Sequence, residues 1–504
     1  MNNKENFDIV LFSPPSRMIN HYRPPIGLLY IGGYLTHHGL SVKVMDVPLK
    51  DQIRDSKFKE NVKEVISNVQ KRMLDDFRNI KTKIVGISCY TPEYFEVVSL
   101  AKEIKKIDPS VIVMVGGIHP TFYPEEFFEE DDVIDICVIG EGEVTAYELC
   151  RSILGKSKLA LSEIKGLAYF DKKENKVVHT AKRLPVDNLD EISFPDYNLV
   201  DTQYYTNASP YSIRGVFLRS MYLLASRGCP SQCTFCVAKK LREIFGMGRF
   251  RSAESLIKEL KYLKEKFAID SFYFVDDLFT VNKENVKKFC GLLKKEHLGL
   301  IWGCSSKVST VNEDLLKIMA SSGCVQIDFG VERGSNEALR LVNKGQTVEM
   351  VKDIFRLCHK YKIRTFANLL VNLPKESEKD LEDILKLLDE IKPEIVSLNI
   401  FSPYPGTEIY DKGNYKFTKN EYADFFIDAS RAIKDNPDKF KFSRHNIDLG
   451  EWTRKYSKKY NSVLLNLKFY LSFKYWKVLF FSRRKINYLK QADLLVREFI
   501  NQKF

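Results

Sequence analysis

The run Ser226–Cys236, which reads SRGCPSQCTFC, decides how this chain is interpreted. It contains three cysteines, Cys229, Cys233 and Cys236, at the spacing C-x-x-x-C-x-x-C. The glycine, proline and serine around them are turn residues, so the cysteines lie in a loop that follows an apolar strand predicted over residues 221–225. A compact loop of three thiolates suits a 4Fe–4S cluster, in which three protein ligands leave one of the four irons open.

Two other interpretations of these cysteines stay open on the residues alone, unligated thiols and a zinc site. Zinc commonly takes four ligands, from paired cysteines or from cysteines and histidines. Neither a histidine nor a second cysteine pair flanks this loop. The spacing therefore favours the cluster over both alternatives.

An aromatic residue, Phe235, directly precedes the third cysteine, and with it the run resembles the signature of the radical S-adenosylmethionine (SAM) superfamily. The motifs FVDDLF, GVERGS, NLPKES and PYPGT follow in the order seen in members that carry an N-terminal cobalamin-binding domain. The resemblance implies that SAM chelates the open iron of the cluster. It also implies that one electron from the cluster splits a carbon–sulfur bond of SAM and yields a 5′-deoxyadenosyl radical.

Residues 215–440 are predicted to form the radical SAM core. Apolar strands alternate with helical stretches and give six strand–helix units, of which the first begins with the strand before the cysteines. Six such units suit a partial (β/α)6 barrel that carries its chemistry at the carboxyl ends of the strands. By the resemblance, the residues expected to bind SAM are Phe235, Asp276, Ser305, Lys307, Glu332 and Asn368.

Within this set, Glu332 is the leading candidate for the ribose or the amino acid portion of SAM, and Phe235 is expected to lie against the adenine. The alternative role for Glu332 is that of an acidic residue stabilised by the dipole of a following helix. Asp277, beside Asp276, has a turn or capping role as its alternative. No catalytic residue is predicted beyond the ligands of the cluster.

Residues 1–155 also alternate short apolar strands with helices, which predicts an α/β fold with a doubly wound, Rossmann-like parallel sheet. Ligands of such sheets bind beyond the carboxyl ends of the strands. Three of these ends carry SCYTP, GGIHPT and GEGE, and with RPPIGLLYIGGYL upstream they resemble a cobalamin-binding domain. The resemblance implies contacts to cobalamin from Ser88, Thr91, Gly116, Gly117, His119, Gly140, Glu141 and Gly142.

The histidines of this segment are a departure from many cobalamin domains. The motif D-x-H-x-x-G, whose histidine ligates cobalt from below, does not occur in the sequence. His119, His21, His37 and His38 are therefore expected to be ordinary polar or capping residues and not cobalt ligands. Cobalamin held without a lower histidine, and a domain that binds no cobalamin, both stay open.

Two further segments complete the predicted organisation. Residues 156–214 are expected to be a connector with a β-hairpin over residues 166–179 and no chemistry of their own. Residues 441–504 are expected to form a basic, aromatic, helical extension. Residues 451–504 alone contain thirteen Lys or Arg and three Asp or Glu, so they hold +10 of the formal net charge of +12.

The basic extension has two possible uses. It could be an interfacial helix on an anionic membrane, or it could be a helical cap on the barrel with a solvated basic rim. A nucleic-acid role is not expected, because the charge is confined to one segment and no RNA-binding module is recognisable after the core.

Cysteine usage and hydropathy bear on the compartment. The seven cysteines outside the cluster motif are scattered through apolar runs, as buried free thiols are, and this agrees with a reducing cytoplasm and with an oxygen-sensitive cluster that needs anaerobic conditions. Neither a secretory signal nor a run of about 18 uncharged apolar residues occurs in the sequence. We expect a cytoplasmic protein that could be peripheral to the inner face of the membrane.

The function implied by the resemblance is cobalamin-dependent C-methylation of an unactivated carbon, on a small-molecule or lipid-like substrate. An electron donor such as flavodoxin or ferredoxin would serve the cluster. One alternative is radical cyclisation, rearrangement or C–C bond formation on a lipid, tetrapyrrole or natural-product substrate. An alternative of another class is a cobalamin or redox sensor without turnover.

Overall fold

The structure, a computed structural model, describes most of the chain. The described residues are 4–15, 23–46, 62–129, 133–207, 212–216, 218–413, 415, 417–421, 429–461 and 471–481. They fall into two compact units. The first comprises residues 1–202 and 416–428, and the second comprises residues 203–415 and 429–504.

The first unit is built on a seven-stranded sheet in the order β3-β2-β5-β6-β7-β8-β9. Its strands are β2 (Ile9–Phe12), β3 (Val42–Met45), β5 (Ile84–Ser88), β6 (Ile112–Gly116), β7 (Ile136–Val138), β8 (Leu167–Asp171) and β9 (Lys176–His179), and a separate short parallel pair is formed by β1 (Glu5–Asn6) and β4 (Ile80–Lys81). The pairs from β3 to β7 are all parallel. This confirms the predicted doubly wound sheet.

Helices cover both faces of that sheet. They are α1 (Ile26–His37), α2 (Val62–Phe77), α3 (Tyr94–Ile107), α4 (Ile118–Phe122) and α5 (Gly142–Ile153). One core lies between the sheet and α2 and α3, and the other lies between the sheet and α1 and α5. The strands are apolar on both sides because each side faces a helix layer; all four residues of β2 are buried.

The predicted hairpin of the connector is β8 and β9, and it belongs to the first sheet. β8 pairs antiparallel with β7, with Ala168 opposite Cys137, and β9 continues the sheet at its edge. The two strands thereby extend a five-stranded parallel sheet to seven strands.

The second unit contains a six-stranded, wholly parallel sheet in the order β10-β13-β14-β15-β16-β17. Its strands are β10 (Ser220–Leu223), β13 (Ser271–Phe274), β14 (Ile301–Ser306), β15 (Cys324–Glu332), β16 (Arg364–Val371) and β17 (Ile395–Ile400), and a short antiparallel ribbon joins β11 (Ser226–Arg227) to β12 (Arg249–Phe250). The strand order follows the sequence, as the predicted partial barrel requires.

The helices of the second unit connect its strands and continue beyond them. They are α6 (Thr202–Tyr205, at the boundary of the units), α7 (Ala238–Phe245), α8 (Ala253–Phe267), α9 (Lys283–Lys295), α10 (Glu313–Ser321), α11 (Asn336–Leu341), α12 (Val348–Lys360), α13 (Glu378–Ile391), α14 (Glu408–Lys412), α15 (Ala429–Asp435), α16 (Pro437–Phe440), α17 (Leu449–Tyr460) and α18 (Phe473–Phe481). Side-chain caps begin several of them; Ser252, Asn312 and Thr347 each accept a backbone N–H three residues on.

The helical C-terminal extension is confirmed where the structure describes it, in α17 and α18. Asn461, directly after α17, accepts the N–H of Val396 at 2.8 Å and donates to its carbonyl at 2.9 Å, so it pairs with edge strand β17. The rest of the predicted tail helix, residues 462–470 and 482–504, lies outside the described residues, as does His21. Across the described ranges, no helix is both long enough and apolar enough to span a membrane.

A buried ion network fixes the chain beyond β16. The Glu376 carboxylate accepts hydrogen bonds from the Arg333 guanidinium and from the N–H of Asn372 at 2.8 Å, and it lies 3.0 Å from Nε2 of His445. The Asn372 side chain in turn donates to the carbonyl of Phe440 at 2.9 Å. One buried carboxylate therefore joins the end of β16, the segment after β15 and the C-terminal helices.

We expect Glu376→Ala to lower the free energy of unfolding of the second unit by about 3 kcal/mol, because it leaves the Arg333 guanidinium buried without its main counter-ion. Urea titration followed by tryptophan fluorescence measures this, since all three tryptophans of the chain lie in the second unit. The control Glu382→Ala removes an exposed carboxylate of α13 and should cost less than about 0.5 kcal/mol. Equal effects of the two substitutions would contradict the role of Glu376.

Candidate functional site

The cysteine loop, residues 228–237, is anchored where it begins. It runs from β11 to α7. Asp276, two residues after the end of β13, holds the residues that precede the loop. The Asp276 carboxylate accepts the N–H of Ala225 at 3.0 and 3.1 Å and the hydroxyl of Ser226. Burial raises the pKa of Asp276 to about 6, although these hydrogen bonds oppose the shift. The carboxylate is thus engaged with the entry to the loop.

The three cysteines share one buried region. Cys229 and Cys233 are buried and Cys236 is half-buried. The N–H of Cys236 donates to the carbonyl of Cys233 at 3.2 Å, and the N–H of Ala238 lies 3.5 Å from the Cys236 Sγ. Burial raises the pKa of Cys233, and it raises that of Cys236 to about 12. Because cysteine binds metals as the thiolate, a metal group bound by these cysteines would displace their protons.

The three cysteines have the donor chemistry of an iron–sulfur cluster. Within the described ranges, no three His, Cys, Asp or Glu side chains are placed to hold a single metal ion. In a 4Fe–4S cluster three cysteines bind three different irons and leave the fourth iron open. The donor set is the one that iron–sulfur clusters take.

Glu332, the leading SAM candidate, ends β15 in an unusual conformation. Its φ is +65°, and the pairing of β15 with β16 shifts register between Gly330 and Glu332. Its carboxylate accepts a hydrogen bond from the Lys344 ammonium at 2.7 Å, and both side chains are largely buried. A Cβ on Gly330 would overlap both charged groups. A non-glycine residue with positive φ at a strand end is typical of functional sites.

The segment 342–346, between α11 and α12, joins the cysteine loop to this strand end. Asn343 donates to the carbonyl of Gln232 at 3.0 Å, and the N–H of Thr234 donates to the carbonyl of Val342 at 3.1 Å. Lys344 lies 5.8 Å above the ring of Phe235. These contacts bring Glu332, Phe235 and the cysteines together.

Two polar atoms around this region are buried without a hydrogen-bond partner. They are Oγ1 of Thr234, in the cysteine loop, and Oε1 of Gln346. The Gln346 amide nitrogen does donate to the carbonyls of Gly330 and Val331, at 3.0 and 3.3 Å. Because a buried polar atom without a partner is costly, these atoms fit a site that a polar ligand completes.

The other SAM candidates divide into two groups. Lys307 is close to the cysteine loop: burial lowers its pKa, the Cys233 thiolate opposes that shift, and a Cβ on Gly345 would lie 3.1 Å from its ammonium. Ser305 and Asn368 lie on strands β14 and β16. There Ser305 contacts the Tyr273 hydroxyl at 3.1 Å, and Asn368 lies 3.5 Å from a backbone carbonyl of β15.

Sequence reasoning missed the residues that surround Glu332, namely Gly330, Lys344 and Gln346. The available signal was NKGQT, residues 343–347, a polar run with a glycine between two helical stretches. Such a run reads as a connecting turn, and nothing in its composition indicates a contact with residues more than a hundred positions earlier.

In the first unit, the glycine motifs lie together at the carboxyl ends of neighbouring strands. Ser88 and Gly116 end the neighbouring strands β5 and β6 and lie opposite each other. Gly117 has φ +115°, and a Cβ there would lie 2.7 Å from the carbonyl of Cys89, so only glycine fits. The Thr121 hydroxyl donates to the Gly117 carbonyl at 2.6 Å and accepts the N–H of Gly140 at 3.1 Å. The hydroxyl of Thr121 thus joins two of the predicted cobalamin-binding turns.

His119 is a core histidine. Its side chain is fully buried, with Nδ1 3.2 Å from the Thr91 hydroxyl and Nε2 3.3 Å from the Glu126 carboxylate. The rings of Tyr94 and Phe127 lie against it. This environment is typical of the ordinary structural role that the missing D-x-H-x-x-G motif led us to expect.

The GEGE turn is also packed into the unit. Glu141 accepts the N–H of Val186 at 3.3 Å. Gly142 begins α5, and a Cβ there would lie 2.9 Å from the side chain of Ile31 on α1. Close packing of α5 on α1 therefore accounts for the glycine.

Two family models match the chain. The model described as the radical SAM superfamily matches residues 223–388, and the model described as the B12 binding domain matches residues 18–150. The first match contains the cysteine loop and Glu332. The second contains the glycine turns of the first unit.

Curated relatives are similar along most of the chain. The chain is 30% identical over 411 residues to an uncharacterized methyltransferase of Pyrococcus horikoshii, across 80% of this chain and 82% of that protein. It is 26% identical over 392 residues to an anaerobic magnesium-protoporphyrin IX monomethyl ester cyclase of Rubrivivax gelatinosus, across 77% of this chain and 66% of that protein.

A solved structure shares the fold. It is the radical SAM methyltransferase TsrM from Kitasatospora setae with cobalamin and a 4Fe–4S cluster bound, which matches with a TM-score of 0.61 at 17% identity. The match covers 82% of this chain and 79% of that one.

Proposed function

Because the chain belongs to the radical SAM enzymes that carry a B12-binding domain, we propose that it methylates an unactivated carbon of a small-molecule substrate. The relative with 30% identity is named a methyltransferase. The observation that carries the proposal is the presence of two sites in one chain. One is the cysteine loop beside Glu332, and the other is the group of glycine-containing turns at the carboxyl ends of the strands in the first unit.

The cofactors of the chain are a 4Fe–4S cluster, SAM and cobalamin, as its two family domains imply. When bound, these groups supply an electron, a 5′-deoxyadenosyl radical and a transferable methyl group. The protein supplies position and the exclusion of water.

We assign the cluster to Cys229, Cys233 and Cys236. Their loop is held at its start by Asp276, which therefore positions the ligands. Glu332 is assigned to SAM because its carboxylate is buried beside the thiols and rigidly held.

The remaining SAM contacts are proposed by proximity. Phe235 and Lys307 lie with the cysteine loop, where an aromatic face and a cation suit adenine and a carboxylate. Ser305 and Asn368, further along the sheet, are candidates for the part of SAM or substrate that reaches the interior of the partial barrel.

For cobalamin, we propose contacts from residues in the turns that follow β5, β6 and β7, namely Ser88, Thr91, Gly116, Gly117 and Gly140. Glycines let the backbone approach a large ring closely. His119 is given a positioning role, because its ring is buried against the Thr91 hydroxyl. Glu141 and Gly142 shape the turn before α5.

The test of the proposed reaction is the pair of products formed from SAM. We expect the iron-loaded, cobalamin-loaded chain, given SAM and dithionite, to release both 5′-deoxyadenosine and S-adenosylhomocysteine. About one S-adenosylhomocysteine per chain is expected, because bound cobalamin is the methyl acceptor in the absence of substrate. Release of 5′-deoxyadenosine alone would favour radical cyclisation, as performed by the cyclase relative. Release of neither product would favour a sensor without turnover.

Glu332→Gln is expected to lower the rate of 5′-deoxyadenosine formation at least about tenfold, through loss of a charge-assisted contact to SAM. The iron content should stay that of the wild type. The control Glu337→Gln, an exposed carboxylate in the first turn of α11, should leave the rate unchanged. An equal loss in both variants would remove Glu332 from the SAM site.

We also propose that α18 binds an anionic membrane surface. Phe473, Trp476 and Phe480 recur at helical spacing and are 82%, 58% and 71% exposed, while Tyr475 and Val478 are buried. Residues 452–492 contain eleven Lys or Arg and no Asp or Glu. Exposed aromatic side chains within a basic segment suit the interface of anionic lipids. A cytoplasmic location and a lipid-like substrate fit this surface, and both stay predictions.

The triple substitution Phe473→Ser, Trp476→Ser and Phe480→Ser should reduce binding to phosphatidylglycerol vesicles about tenfold or more. Vesicle co-sedimentation of the full chain measures this. Leu184→Ser, which removes an equally exposed apolar side chain from the first unit, is the control and should bind as the wild type does. Equal binding by the triple variant, or none by the wild type, would contradict the proposal.

A further inference from the structure

Lys344 is a buried cation that the proposed chemistry does not use. Its side chain is 10% exposed, and its ammonium lies 2.7 Å from the Glu332 carboxylate and 5.8 Å from the centre of the Phe235 ring. The Glu332 carboxylate is a buried counter-ion in direct contact with this ammonium. The two side chains therefore form a buried ion pair.

We propose that the ion pair of Lys344 and Glu332 sets the reduction potential of the cluster bound by the cysteine loop. Lys344 acts on the cluster through its charge, and Glu332 opposes it. The inference rests on the proposed function, because it takes the three cysteines to be the ligands of a 4Fe–4S cluster.

The sign of each effect follows from electrostatics. When one electron enters the cluster, the cluster with its three thiolates becomes more negative by one unit. A buried cation nearby stabilises that reduced form and a buried anion destabilises it, and both interactions are stronger at low dielectric than in water. Lys344 therefore raises the potential, and the Glu332 carboxylate lowers it.

Local geometry keeps the two charges in place. Gly330 leaves the space that the ion pair occupies, and Asn343, the residue before Lys344, is tied to the cysteine loop by its bond to the Gln232 carbonyl. The left-handed backbone of Glu332 directs its carboxylate from the strand end. Lys344 is thus held beside the cysteine loop by the same segment that contacts that loop.

The experiment compares reduction potentials in the absence of SAM, so that activity plays no part. The full chain and its variants Lys344→Met, Glu332→Gln and the double variant are reconstituted with iron and sulfide without oxygen. Each is titrated with dithionite at about pH 8, where lysine and glutamate are charged by their ordinary pKa values. The reduced cluster is followed by electron paramagnetic resonance. Lys317→Met, an exposed lysine on α10, is the matched control.

We expect the midpoint potential to fall in Lys344→Met, to rise in Glu332→Gln and to return close to the wild-type value in the double variant. Lys317→Met should not move it. If the two residues acted only by maintaining the local structure, both single substitutions would shift the midpoint potential in the same direction. The double variant would then show the sum of the two shifts.

Two results would overturn the inference. Shifts of the same sign, or no shift, in two single variants that hold wild-type amounts of iron would overturn it and leave the proposed function intact. A wild-type chain that takes up no iron would overturn both together.

Discussion

In a parallel sheet the carboxyl ends of all the strands lie on the same side, and each of the two candidate sites depends on this constraint. In the second unit, that side gathers the segments that follow β13, β14 and β15. In the first unit, it gathers the turns that follow β5, β6 and β7. Residues far apart in sequence reach one place because their strands are paired in register, and the long hydrogen-bonded sheet makes that place rigid.

At the carboxyl ends of the strands in the second sheet, polar groups form hydrogen bonds with the loop that carries the cysteines and with the residues just before it. Asp276 holds the start of that loop, and the segment 342–346 holds its middle through Gln232 and Thr234. The ligands are therefore placed before any metal arrives. Preorganisation of this kind lowers the entropic cost of binding a cluster and of orienting SAM against it.

Much of this was accessible from sequence, because hydrophobic alternation reports strands and strand order follows the chain. The six strands of the core, the glycine turns and the place of Glu332 at a strand end were all predicted. The partner of Glu332 was not, since Lys344 reaches it only through the tertiary path of the segment after α11. The contacts that a particular side chain makes could not be predicted either. Asp276 bonds to the residues before the cysteine loop, and His119 lies beside Glu126; neither partner could be identified from the sequence. Likewise, the hairpin of the connector could be predicted, but its pairing with β7 could not, because the pairing partner of an edge strand is a property of the folded sheet.

The most direct test of the account is the metal content of the chain after anaerobic purification with hydroxocobalamin, for the wild type and for Cys233→Ala. We expect about four irons and one cobalt per wild-type chain. We also expect the variant to lose its iron and keep its cobalt, because the two sites are built from different residues. Iron without cobalt would contradict a cobalamin-dependent reaction, and iron retained in the variant would contradict the assignment of the cluster to the cysteine loop.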